Sequence, residues 1–258
     1  MNKVSCSTIK KHHLIFFSIA AIMVAMSFKS IPAQTKLIIR FENYVGDKRL
    51  AFDTVTYVND LGQAFTITNF KYYISNIELE YQNSKKSFLA QGSYLIRQDD
   101  ENTWTVELDG IPADSYRSIS FMIGVDSLHN CSGAQSGALD PINGMFWTWN
   151  TGYIFMKMEG KSPASKQPGH IFEYHIGGYK EPTNFIRTVS LAFQNEPMKI
   201  NPGKVTTLYI KTDALKVLRG KNKIDFSKLS SVTDFHSADK IADNYVNMFS
   251  VIRISNEW

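Results

Sequence analysis

The stretch GMFWTWNTGYIF, residues 144–155, sets Trp147 and Trp149 two apart, with Met145 and Phe146 before them and Tyr153 and Phe155 after. On an extended strand residues i and i+2 share a face, so one strand through this run stacks the two indoles side by side. Indole is electron-rich, but its N–H only donates a hydrogen bond, so an intact tryptophan offers no ligand nitrogen. Three uses follow: core filling, a platform for a ligand, or a substrate for chemistry on the ring itself.

Metal-ligating types are sparse. After residue 33, histidine occurs only as His129, His170, His175 and His236, two of them within GHIFEYHIGG. The odd separation of His170 and His175 puts them on opposite faces of a regular strand. Imidazole and thioether suit copper, and Met145, Met156, Met158 and Met248 supply thioethers. The plainer role of those methionines is gap filling in an aromatic core. Cys131 is a soft ligand, a reactive thiol or, as for most lone cysteines, a small buried apolar residue. In GVDSLHNCSGAQSGALDPINGM, Asp126, Asn130, Asp140 and Asn143 are oxygen donors of the type calcium accepts. Closing Asx turns in a long loop is the simpler reading of them. Phosphate loops, nucleophile elbows, HExxH and CxxC are absent, and no paired acids mark a general acid and base.

The elements that must hold these residues read as strands. KLIIRFENYV (36–45), AFTITNFKYYISNIELEY (64–81), SFLAQGSYLIR, TWTVEL, YRSISFMIGV, TGYIFMKM, HIFEYHI, FIRTVSLAF and KVTTLYIKT recur at regular intervals. The 64–81 run is two strands or one bent one. Val205, Thr207 and Tyr209 alternate with Thr206, Leu208 and Ile210, a period of two. Turns fall at Asp109-Gly110, Asn143-Gly144, Gly177-Gly178 and Asn201-Pro202-Gly203. The pattern predicts an all-β, single-domain antiparallel β-sandwich with one or two short helices near the C-terminus. The helices are expected at 213–220, ended by Gly220, and at 237–249, where Ser237 stands as N-cap before Ile241, Tyr245 and Met248.

A basic segment, MNKVSCSTIKKHH, precedes the apolar run LIFFSIAAIMVAM and the small residue Ala33. That order is a secretory signal peptide over 1–33, leaving a domain over 34–258; the apolar run is short for a transmembrane helix. A periplasmic or secreted protein with no transmembrane anchor after processing is expected. Residues 1–33 hold four of the 28 basic residues and none of the 24 acidic ones, so the remainder balances at 24 of each. No electrostatic case for nucleic acid or an anionic membrane survives that balance. With Cys6 in the leader, the remaining chain has no second cysteine for a disulfide, and its fold rests on a packed core.

The runs IGVDSLHN, SGALDPINGMFWTWNTGYIFMKMEG and FEYHIGG, together with NFKYYISNIEL (69–79) and NYVNMF, resemble the MbnP-like family of exported copper-binding proteins. That family is related to the copper protein MopE. The resemblance spans nearly the whole chain after the leader. It implies a β-sandwich that binds copper, is not an enzyme, and has a tryptophan oxidised to kynurenine by a partner diheme MauG-like peroxidase-family enzyme. The kynurenine amine then joins histidine nitrogens around a cuprous ion. Carried over, Trp147 or Trp149 stands at the modified position and His175, in YHIGG, is the imidazole ligand.

One departure matters. The MopE-like site has a histidine two residues beyond the modified tryptophan, where this chain has Trp149 or Thr151. Either a second ligand comes from His129, His170 or His236, or from the sulfur of Met145 or Met248, or the site has lost copper altogether. Two rival readings stay open: a sandwich module binding a non-metal ligand or a protein through an aromatic surface, and a protein that serves mainly as substrate of the haem enzyme.

Overall fold

Runs rich in β-branched and aromatic residues fold here as strands long enough to bury one whole face. The computed structural model describes residues 35–147, 152–194 and 196–257. One sheet contains β1 (Lys36–Val45), β4 (Thr105–Asp109), β10 (Val205–Asp213) and β11 (Phe249–Glu257), in the order β11–β10–β1–β4. The other contains β2 (Ala64–Tyr81), β3 (Ser87–Arg97), β5 (Ser115–Ile123), β7 (Gly152–Lys161), β8 (Ile171–Gly177) and β9 (Arg187–Ala192). A two-residue strand β6 (Phe146–Trp147) pairs with the start of β7. Most pairings are antiparallel. β1 and β10 run parallel, from Lys36 opposite Val205 to Tyr44 opposite Asp213.

The inward faces meet in one core. Leu37, Ile39 and Phe41 of β1 and Leu208 and Ile210 of β10 pack with Phe70 and Tyr72 of β2, Phe121 of β5, Met156 and Met158 of β7, and Phe172 and Tyr174 of β8. Each such side chain contributes about 1.5–3 kcal/mol by leaving water. The alternation of β10 holds in part: Thr206, Leu208 and Ile210 are buried and Val205 and Tyr209 half-exposed, but Thr207, on the face of the latter two, is buried as well. The 64–81 run is one strand bent at Asn76, whose φ of 50° breaks the register between Ser75 and Ile77.

One edge of β2 is shared by two strands. Residues 66–72 pair with β7 and residues 74–81 with β5, while β3 takes the opposite edge. The two strands approach each other end to end at Tyr73 and must both turn outward there. Gly124 donates its N–H to the Tyr73 carbonyl with φ 125°, and a Cβ on it would stand 3.0 Å from the Phe155 ring. The splayed ends enclose a second, smaller cluster of Tyr73, Val125, Leu139, Met145, Trp147, Tyr153, Ile154 and Phe155.

The helices differ from expectation in extent. α1 (Ser127–Cys131), which no periodicity announced, is capped by the Asp126 side chain. Residues 214–217 form a single 3-10 turn capped by Asp213. α2 (Ala238–Tyr245) stops four residues before 249, because Phe249 begins β11 and packs edge-on against Phe41 and Phe121 between the sheets. Ser237 precedes α2 in a left-handed conformation and makes no side-chain cap. Among the described residues no helix is long and apolar enough to cross a membrane. The expected leader lies outside them.

Candidate functional site

The hairpin of β6 and β7 carries Trp147 onto the outer face of the second sheet. Lys157, outward on β7 between the inward Met156 and Met158, reaches back to donate 2.7 Å to the carbonyl of Gly144. Phe146 pairs with Tyr153 and Trp147 with Gly152. The indole then lies over the end of β8: a Cβ on Gly177 would stand 2.8 Å from Trp147 Cζ3 and 2.4 Å from the Tyr153 carbonyl oxygen. Only glycine fits there. The far side of the indole meets Phe235 edge-on, with centroids 5.7 Å apart.

Trp147 is in a strand, Phe146–Trp147, while Trp149, and with it the expectation of one strand through both tryptophans, lies outside the described residues. Trp147 is 6 % exposed. Tyr153 packs against Phe146 at 5.0 Å and Tyr73 at 5.9 Å. The described aromatics of this corner form packed structure, with Met145 fully buried among them.

His175 lies two residues before Gly177, about 7 Å along β8, on the outward face with Glu173. Its cross-strand neighbour is Lys157. Its Nε2 is 2.6 Å from Glu159 Oε1, and Asn69 Nδ2 donates 3.0 Å to the other oxygen of that carboxylate. The hydrogen bond from His175, with help from Asn69, holds the Glu159 carboxyl well below its usual range, at about 2. Burial beside it lowers the Lys157 ammonium. Since Glu159 faces Glu173 across the strands, the Nε2 edge of the imidazole is turned away from Gly177 and Trp147.

The other candidates scatter. His170 is exposed at the opposite end of β8, roughly 16 Å along the chain from His175, with Nδ1 2.9 Å from the Ser165 carbonyl. Met248 is buried in the main core between the sheets, in a different cluster from Met145. His129 sits on α1 at the same end as Tyr153, its Nδ1 2.9 Å from the Asp126 carboxylate. His236 is exposed beside Phe235. Cys131 is exposed rather than buried, because the short α1 ends at the surface; its Sγ is 3.6 Å from the Tyr179 hydroxyl.

The oxygen donors of the 126–144 loop are spent on the fold. Asp126 caps α1 and Asp140 accepts from Ile142 N–H. Asn143 ties Gly137 and Ala138, while buried Asn130 binds the Val125 carbonyl and accepts from Tyr153 N–H. Among the described residues no group of three or more His, Cys, Asp or Glu converges as a metal cage. Asn69, Lys157 and Glu159 were not anticipated as site residues. Their signal was present in the alternation of MKMEG, where Met156 and Met158 face in and Lys157 and Glu159 must face out toward YHIGG.

Fold and corner together define a class: a two-layer β-sandwich whose aromatic hairpin is laid over a histidine-bearing strand. The family model for MbnP matches residues 34–236, and the chain belongs to the MbnP family. The solved structure of MbnP from Methylosinus trichosporium shares the fold, with a TM-score of 0.51 at 14 % identity over 87 % of this chain and 99 % of that one. No curated protein matches the sequence.

Proposed function

We propose that this MbnP-family protein is an exported, non-enzymatic copper-binding protein, with its site at the corner where Trp147 covers Gly177 beside His175. The observation that carries the reading is the pairing of His175 with Glu159. Histidines that ligate metals as a rule hand their other ring nitrogen to a carboxylate or carbonyl, which orients the ring and raises its basicity. Here that partner is in place at 2.6 Å, on β7 of the tryptophan hairpin itself.

In this reading His175 supplies imidazole and Met145 a thioether from within the corner. One of Trp147 and Trp149 becomes kynurenine through a partner diheme MauG-like enzyme, which supplies the oxidant. Ring opening converts a nitrogen that only donates into an aromatic amine that can ligate. His129 and His236, at the same end of the sandwich, stand ahead of His170 and Met248 as further ligands. Burial of Trp147 favours this over a platform for a non-metal ligand, since a platform needs an open ring face.

Equilibrium dialysis against Cu(I) tests the reading with His175→Ala beside the unaltered protein. Tight copper binding should vanish in the variant. Its metal-free thermal unfolding should change by no more than about 1 kcal/mol, because the hydrogen-bonded pair lost is partly exposed. A well-folded variant with unchanged copper affinity would end the candidacy of His175.

A further inference from the structure

We propose that Glu159 is a positioning residue: by accepting from His175 Nε2 it fixes the imidazole as the Nε2–H tautomer and leaves Nδ1 as the nitrogen presented to a metal. The metal half of this inference rests on the copper reading above; the tautomer half does not. Three strands build the arrangement. β7 supplies Glu159, β8 supplies His175 at 2.6 Å, and β2 supplies Asn69 at 3.0 Å, so each carboxylate oxygen has its own partner. An ionised carboxylate only accepts, so the shared proton of a neutral imidazole belongs to Nε2. Of the two cations on the adjoining rung, Lys71 and Lys157, Lys157 is committed to the Gly144 carbonyl at 2.7 Å.

His175 differs in this from its counterparts. His129 and His170 both use Nδ1, toward Asp126 and the Ser165 carbonyl, and so turn Nε2 outward. Among the described residues, Nδ1 of His175 has no hydrogen-bond partner. It is also the nitrogen nearer the backbone, on the side of the ring not drawn toward Glu159.

Long-range 1H–15N correlation spectra of 15N-labelled, metal-free protein at alkaline pH, where imidazole is neutral, read the tautomer directly. His175 should carry its proton on Nε2, and one equivalent of Cu(I) should move the Nδ1 resonance while Nε2 stays protonated. Glu159→Ala should mix the tautomers and weaken Cu(I) binding by about 10–100-fold. Glu159→Gln, whose amide oxygen still accepts, should retain the Nε2–H form and most of the affinity. A proton on Nδ1 in the unaltered protein, or a Glu159→Ala protein with both tautomer and affinity unchanged, would overturn the proposal. Unchanged affinity in His175→Ala would overturn the copper reading and the metal half with it, while the metal-free spectrum still decides the role of Glu159.

Discussion

Two tryptophans compete for one role, and of the two only Trp147 lies among the described residues. Trp147 is wedged between Gly177 and Phe235 with 6 % of its surface exposed, so oxidation there would proceed through packed protein. Peptide mapping of protein from its own host should find one kynurenine within residues 145–157, as a net loss of carbon and gain of oxygen. Recombinant protein made without the partner enzyme should carry none. Two intact tryptophans in copper-binding host material would reduce the pair to packing. The residue types of this site were legible in the sequence: His175 and the tryptophans stood out by rarity and by motif. Glu159 and Asn69 did not, because a carboxylate on an outer strand face is ordinary until its cross-strand neighbour is known. Register across three strands decides that, and register is a property of the folded sheet.

At the scale of elements, the hairpin works because β8 ends in a residue without a side chain. Gly177→Ala should cost about 1–3 kcal/mol of stability by overpacking. It should also shift the emission of Trp147, since the new methyl would meet both the ring and the Tyr153 carbonyl; unchanged emission and melting would place the indole elsewhere. The β7–β8 rung makes a pH prediction. Glu159 titrates near 2 in the folded chain against 4.5 for a free carboxyl, so its contribution is complete above about pH 5 and is lost as pH falls toward 2. The stability gap between the unaltered protein and Glu159→Gln should therefore close over that window, as followed by thermal melts. Strand existence was readable from period-two patterns. The split edge of β2 was not, since nothing local tells one long strand that two partners will share its side. The end of α2 was set by Phe249, where core packing overrode a helical periodicity that continued on paper.

For the molecule as a whole, the balanced charge of residues 34–258 leaves the core and the aromatic corner as the features that define it. The family match begins at residue 34, the position after the expected cleavage. N-terminal sequencing of exported protein should start near Gln34, and a membrane-embedded chain retaining Met1 would contradict the localisation. The fold is shared with MbnP from Methylosinus trichosporium at 14 % identity, as expected where alternation and volume specify a sandwich more than individual residues do. If copper binds, its position in the corner is set by His175. Anomalous diffraction at the copper edge, from crystals of host-derived protein loaded with Cu(I), tests it most directly. One peak should lie at the end of β8, within bonding distance of a His175 nitrogen and beside the β6–β7 hairpin. A peak at His129 and Cys131, at His170, or no peak in a copper-saturated crystal would contradict it.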